Sequence, residues 1–507
     1  MSKTNLPIHI SVAGRTIVAI RDFSFPADKI TLLFGESGIG KSMLSKAVYG
    51  LLDADELQIT IHDKNYAEYL RNPFVKKIKE QGFFVFQEPS SHLNSLLTLQ
   101  EQLREGSLSA ELDEQAILRH LWDSTPDESI RALLDVYPKP YRPSGGEKQR
   151  ILLAMAFKKI NAYIAQKEST ASPIFIFDEP TGSLDNHFRN RFLDLLFQKY
   201  QQRPFTVLLI THDYSIISEI YEHHPAMLEK IAFKELSRHD MSQVELHDFS
   251  ADSYRNWLRK MEESTPYGQE GEQTAANPVL QVQSGFRIFQ RQLHLYRDAG
   301  CTQETDLKIY PGQMIYLKAG SGVGKTTLAK IIMGLLPAQK LNMQVGGMQL
   351  TERSPSKLWR KKIWGKKAGM VFQHADEALN LQATVKESLE GLKTKKLRGQ
   401  FLKDKLTELF DESVDTVFLK QKVGLLSGGQ KQRLNLLRTL VLDVDLVILD
   451  EPLNGLDFVS IRKVLQWLDE KRRQQKAFLM ISHNEEIFEH IIDPRHTYYL
   501  KAVEISE

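Results

Sequence analysis

Gly35-Glu36-Ser37-Gly38-Ile39-Gly40-Lys41-Ser42 lies between the apolar run Ile30-Thr31-Leu32-Leu33-Phe34 and the helix-like pattern of residues 43–51. A glycine-rich turn joining a buried strand to a helix is a building unit of α/β folds. The unit recurs 284 residues later as Ala319-Gly320-Ser321-Gly322-Val323-Gly324-Lys325-Thr326, between Met314-Ile315-Tyr316-Leu317 and residues 327–335. Other blocks repeat in the same order. Val85-Phe86-Gln87 returns as Val371-Phe372-Gln373 (offset 286), and Ser144-Gly145-Gly146 as Ser427-Gly428-Gly429 (offset 283). Asp178-Glu179-Pro180 returns as Asp450-Glu451-Pro452 (offset 272), and His212 as His483 (offset 271). Blocks kept in order at nearly constant offset make the chain an internal duplication. The fall from 283 to 272 gives the first copy 11 extra residues, expected in the polar stretch 160–172 (INAYIAQKESTAS). Residues 262–278 (EESTPYGQEGEQTAANP) are polar and lack apolar periodicity, so they read as a linker. The expected domains are 1–261 and 279–507.

Composition narrows the class. The 507 residues suffice for several domains, and 42% apolar with 26% charged residues is ordinary for a globular chain. No run reaches the roughly 18 apolar residues that cross a bilayer, and the N-terminus lacks a signal-peptide shape. A single cysteine, Cys301, excludes an internal disulfide framework, a cysteine zinc site and an iron–sulfur cluster, and points to a reducing compartment. The net charge of +2 does not suggest nucleic acid. It is unevenly spread: 28 basic against 33 acidic residues in 1–250, and 38 against 31 in 251–507. Much of the surplus sits in 353–367 (RSPSKLWRKKIWGKK), which reads as a solvated hairpin face, or as a surface for anionic lipid or for the acidic half of the chain.

Each block carries its own chemistry. GxxxxGK[ST] between strand and helix is a phosphate loop, whose backbone N–H groups point inward at a helix N-terminus. Lys41 and Lys325 are expected to reach the β- and γ-phosphates, and Ser42 and Thr326 to ligate Mg²⁺. Ile174–Glu179 and Leu446–Glu451 read as buried parallel strands ending in two carboxylates. Asp178 and Asp450 are expected to hold Mg²⁺, and Glu179 and Glu451 to polarise the attacking water. His212 and His483 follow further strands and are expected to sense the γ-phosphate. Gln87 and Gln373 are expected to reach Mg²⁺ and the lytic water. The Ser-Gly-Gly blocks open helices and form a second anion site, redundant within one domain and meaningful against phosphate held by another.

Phosphate loop, glutamine loop, Leu426-Ser427-Gly428-Gly429-Gln430, carboxylate strand, a D-loop (Ser183-Leu184-Asp185; Gly455-Leu456-Asp457) and switch histidine together resemble an ATP-binding cassette ATPase, twice over. The resemblance implies two α/β cassettes, each with a parallel core sheet, an antiparallel edge subdomain and a helical subdomain between Gln87 and Ser144 or Gln373 and Ser427. It implies ATP and Mg²⁺ as ligands and an intramolecular head-to-tail pairing of cassettes. ATP would then lie between the phosphate loop of one copy (35–42 or 319–326) and Ser427, Gly428, Gly429 and Gln430, or Ser144, Gly145 and Gly146, of the other, with Asp185 and Asp457 nearby. It implies an aromatic on the adenine about 23 residues before the loop, where the second copy has Tyr296 and the first Val12.

Val85–Asn94 (VFQEPSSHLN) is similar to the glutamine-loop sequence of the peptide/nickel importer ATPases. That likeness implies Mg²⁺-dependent hydrolysis coupled to transport, two integral membrane permeases touching residues 88–97 and 374–383, and indirectly an extracytoplasmic substrate-binding protein. It also implies a peripheral place on the cytoplasmic face of the membrane and no nucleic-acid partner. The cysteine-rich extension of many such importers is absent. A soluble tandem cassette ATPase acting on ribosomes or another cytosolic complex is the alternative. Ala319 replaces the first loop glycine and Pro143 the leucine before Ser144. Pro143 fixes its own φ and biases Arg142, so Ser144 is expected to aim slightly off, making the first site the faster catalyst, though with Val12 in place of an aromatic the weaker binder.

Overall fold

The computed structural model describes residues 6–504, apart from 106–113, 124, 139–142, 167–171, 183–185, 239–242, 264–276, 321, 391, 393–399, 411–413 and 415. The chain divides into two compact units, Met1–Asp252 and Ser253–Glu507. The division falls before the expected boundary at 261. Helix Ala251–Glu263 explains the difference: Tyr254 and Trp257 pack edge-on against Phe458, and Tyr254 Oη donates to Glu486 Oε2 at 2.8 Å. Most of the expected linker lies outside the described residues.

Both units share one core order. In unit 1, Phe83–Val85, Ile174–Asp178, Thr206–Ile210, Ile30–Gly35 and Ile231–Arg238 are successive parallel neighbours. In unit 2 the order is Ala368–Val371, Leu446–Asp450, Ala477–Ile481, Met314–Lys318 and Thr497–Glu504. Apolar runs without alternation form these strands because helices cover both faces; Ile174–Asp178 and Leu446–Asp450 are buried at every position. The phosphate-loop strand therefore lies next to the histidine strand, which lies next to the carboxylate strand, and the glutamine strand comes last. All four functional blocks emerge at the carboxyl ends of the core strands.

The edges differ. Unit 1 is one ten-stranded sheet, because Gln243–Asp248 inserts between Ile231–Arg238 and the hairpin Ile8–Val12/Arg15–Ile20. In unit 2, Arg291–Tyr296 pairs directly with Thr497–Glu504, and a separate four-stranded antiparallel sheet forms beside it. The helical segments fall where expected, including Leu99–Arg104, Glu114–Trp122 and Asp127–Leu134 in unit 1, and Val385–Glu390 and Gln400–Phe410 in unit 2. Eight of the 11 extra residues lengthen a helix: Gly145–Ala165 has 21 residues and Gly428–Leu440 has 13.

Candidate functional site

The two loops bend alike. Gly38 and Gly322 take φ 79 and 76, and Gly40 and Gly324 take φ 114 and 122. At Gly35 the chain still pairs with Leu236, and an added Cβ would stand 2.5 Å from the Leu236 carbonyl oxygen. Ala319 is tolerated because its strand already ends at Lys318. The lysines fold back into their own loops: Lys41 Nζ donates to the carbonyls of Gly35 (2.5 Å) and Glu36 (2.9 Å), and Lys325 Nζ to that of Ala319 (2.6 Å). Ser321 lies outside the described residues, as does Asp185. Asp457 caps helix Phe458–Arg473 by accepting from Ser460 N at 2.7 Å.

The hydroxyls and carboxylates meet as expected. Ser42 Oγ donates to Asp178 Oδ1 at 2.8 Å, and Thr326 Oγ1 to Asp450 Oδ1 at 3.1 Å. In both aspartates the second oxygen, Oδ2, is buried without a hydrogen-bond partner, and burial pushes both groups up to about 6. A buried, unsatisfied carboxylate oxygen beside a hydroxyl is a donor set suited to a hard divalent cation, so these residues fit Mg²⁺.

The glutamates are held differently. Both follow a buried strand in a left-handed conformation, φ 46 at Glu179 and 50 at Glu451, a strain that fixes the carboxylate's direction. Glu179 is clamped by His212 (Nδ1 to Oε1, 3.1 Å) and by Gln87, whose Nε2 donates to Oε2 at 3.1 Å. Burial alone would raise Glu179, but His212 and Lys41 outweigh it and hold the group down at about 2. Glu451 accepts from Ser482 Oγ (3.2 Å) and His483 N (3.0 Å), while His483 Nε2 stays 3.5 Å away on a 42% exposed side chain. Burial, helped by Asp450, pushes Glu451 up to about 7. Gln373 is half-buried, and among the described residues the side-chain partners of Glu451 are Ser482 and His483, not Gln373.

A network absent from the sequence reading lies behind His212. Buried Arg189, on helix Asn186–Gln202, bonds Asp213 Oδ2 through Nη1 at 2.8 Å and also contacts Ser215. Ser215 N donates to Asp213 Oδ1 at 3.0 Å. At the matching places unit 2 has Ile461 and Asn484, so its switch loop lacks this anchor. The signal was present in the sequence as Arg189 and Asp213 against Ile461 and Asn484, but only the packing of helix on loop makes it legible.

Both Ser-Gly-Gly blocks cap helices through a capping box, Ser144 with Glu147 and Ser427 with Gln430. The cap dihedrals are φ −60, ψ 162 at Ser144 and φ −63, ψ 162 at Ser427. Pro143 and Leu426 are both buried. The expected misaiming by Pro143 is therefore absent: proline accepts an extended conformation that leaves the cap unchanged. Behind the caps, Gln432 Nε2 donates to the Glu451 carbonyl (3.2 Å), and Asn435 Nδ2 to that of Phe372 (3.2 Å).

Tyr296 does not stand against its loop. A Cβ on Gly324 would meet Leu293 Cδ1 at 3.8 Å, as one on Gly40 would meet Val18 Cγ2 at 2.9 Å. Strand side chains alternate, so Leu293 and Leu295 share the loop's side while His294 and Tyr296 take the other. Val12, at the end of its strand, is 39% exposed. Another aromatic, Phe289, is 87% exposed at φ 51 in the turn before Arg291–Tyr296, four residues from Leu293.

A parallel sheet with a phosphate loop, carboxylate strand and switch histidine at its carboxyl edge defines a nucleotide-hydrolysing cassette, and the chain has two. It belongs to the ABC transporter family, whose model matches residues 20–182 and 302–454. It is 25% identical over 555 residues to the glutathione import ATP-binding protein GsiA of Shigella sonnei (strain Ss046) and of Escherichia coli (strain K12), covering 99% of this chain and 85% of theirs. Among solved structures, an RNase-L inhibitor matches with TM-score 0.61 at 17% identity, covering 98% of this chain and 90% of that one. An archaeal ribosome recycling factor, in complex with a ribosomal stalk protein, matches with TM-score 0.60 at 17% identity over the same shares. These two likenesses show a shared tandem-cassette fold. Among the described residues no helix is long and apolar enough to cross a membrane.

Proposed function

We propose that the chain is the ATP-hydrolysing subunit of an importer for peptides or metal chelates, working beneath two integral membrane permeases. The observation that carries the importer reading is the match to GsiA across nearly the whole chain, both cassettes included. ATP is held by the loop N–H groups of 35–42 and 319–326, with Lys41 and Lys325 turning from their own carbonyls to the phosphates. In unit 2, Phe289 rather than Tyr296 supplies a ring for adenine. Ser42 with Asp178, and Thr326 with Asp450, would hold Mg²⁺, which would supply positive charge against the phosphates. Glu179 and Glu451 orient water and accept its proton, and His212 and His483 stabilise charge on the γ-phosphate.

Two paired contacts support coupling through the segments after the glutamines. Lys148, in the first turn of the Ser144 helix, donates to Ser90 Oγ at 3.2 Å, and Lys431, at the same place after Ser427, pairs with Asp376 Oδ1 at 3.0 Å. Movement of either helix N-terminus is thereby passed to 88–97 or 374–383. Leu96, 80% exposed, is a docking contact for a permease helix. Affinity capture from detergent-solubilised membranes is the test. The reading predicts two permeases retained by the parent chain and lost with Leu96→Asp, whose ATPase activity stays intact. Co-purification with ribosomes and no integral membrane protein would overturn it.

A further inference from the structure

Residues 353–367 hold seven Lys and Arg and no carboxylate. The structure forms them into a short helix, Ser356–Leu358, a π-helical turn, Trp359–Ile363, and a return to strand Ala368–Val371. Trp359 and Ile363 are buried, so Arg360, Lys361 and Lys362 sweep the outward arc between them, and all three are exposed. Arg353 and Lys357 are exposed beside them. Lys366 Nζ reaches the Lys361 carbonyl at 2.5 Å, and Lys367 alone is diverted to a carboxylate, Asp445, at 3.4 Å. Among the described residues no ion pair engages Arg353, Lys357, Arg360, Lys361 or Lys362. Exposed Glu352 is the one acid adjoining the stretch in sequence.

The turn is anchored rather than loose. Trp359 Nε1 donates to the Ile332 carbonyl at 3.1 Å, and Trp364 Nε1 to that of Met333 at 2.8 Å. Gly334 lies so close that a Cβ there would stand 2.4 Å from the Trp359 ring. π turns are rare and concentrate at functional positions. The next residue, Leu335, is 40% exposed and adds an apolar fringe.

We propose that this turn docks on a membrane surface by binding anionic lipid headgroups, which deepens the importer reading above and rests on its membrane setting. Clusters of this size bind anionic headgroups without needing a fixed partner geometry, and the aliphatic stems with Leu335 suit the headgroup boundary. Nucleic acid fits less well. Single strands are gripped by stacking on exposed rings, whereas here the Trp359 ring is buried and both indole N–H groups are committed to backbone.

The test is co-sedimentation of the full chain with vesicles of phosphatidylcholine, alone or mixed with phosphatidylglycerol. The parent pellets with the mixed vesicles only, and less as salt rises. Arg353→Gln/Lys357→Gln/Arg360→Gln/Lys361→Gln/Lys362→Gln loses about tenfold or more in binding, with ATPase activity in solution and permease capture unchanged. Should that variant unfold, Lys361→Gln/Lys362→Gln gives a smaller loss in the same direction. Arg353→Lys/Arg360→Lys keeps the charge and keeps binding. Equal pelleting of parent and variant overturns the proposal. So does loss of ribosome or RNA binding with vesicle binding intact, or a changed ATPase rate in solution, which would make the turn a partner of the cassettes themselves. Vesicle binding without permease capture would instead sink the importer reading and leave this surface standing.

Discussion

Glu179 and Glu451 occupy the same backbone position, yet one is ionised far below neutrality and the other titrates at about 7. A general base works best with a pKa near the operating pH. Glu179 is ionised but weakened by His212, whereas Glu451 is half ionised at neutrality and strong. The structural asymmetry therefore runs against the expectation built on Pro143, whose cap is undistorted. At pH 7, Glu451→Gln should remove more steady-state hydrolysis than Glu179→Gln. In Glu179→Gln chains, which rely on Glu451, the rate should fall as pH drops through the region of 7. In Glu451→Gln chains the acid limb should lie at lower pH. Rate–pH profiles of the two variants decide this, and a larger loss from Glu179→Gln at pH 7 would contradict it. Phe289 belongs to the same scale. Aromatic stacking on a base is worth roughly 1–3 kcal/mol, so Phe289→Ala should weaken ATP binding by unit 2 about tenfold while Tyr296→Ala leaves it unchanged. Titration with a fluorescent ATP analogue in a Lys41→Ala background reads unit 2 alone; equal losses would return the role to Tyr296.

Helix Asn186–Gln202 positions the switch loop of unit 1 through Arg189 and Asp213. The Arg189 side chain is 7% exposed and that of Asp213 24%, so removing the guanidinium strands a largely buried charge. Losing one partner of such a pair costs about 3 kcal/mol, the low end suiting the partial exposure of Asp213. In the parent, Arg189 holds Asp213 below the usual carboxylate range against the burial that would raise it. Its contribution is therefore full above the unfolded pKa of about 3.9 and is lost as pH falls through the lower folded value. In Arg189→Leu only the two Ser215 hydrogen bonds remain to oppose burial, so Asp213 sits higher than in the parent. The variant's deficit should then be greatest at neutral pH and shrink on acidification, as its Asp213 takes up a proton before the parent's does. Thermal melts across that range test the sign, and a deficit that grows on acidification would refute it. The contrast also shows what sequence conveys at this scale. The phosphate loops, carboxylate strands and caps were legible because each is written in contiguous residues. The insertion of Gln243–Asp248 into the unit 1 sheet, the attachment of Tyr254 to Phe458 and the face taken by Tyr296 were not, because pairing partners distant in sequence decide them.

At the scale of the molecule, duplication preserved the core order of strands while edges and second-rank contacts diverged. Ala319, Ile461 and Asn484 in one copy, and Pro143 and Val12 in the other, change what surrounds the chemistry without removing a phosphate donor, a carboxylate or a switch histidine. Two cassettes with intact machinery and unlike glutamates are the central claim. Its most direct measurement is Mg²⁺-dependent ATP hydrolysis by the purified chain beside its Lys41→Ala/Lys325→Ala variant. Withdrawing both cations from the phosphate cradles should bring turnover to background, with each single variant retaining part of it. Parental turnover that survives the double substitution would contradict the account.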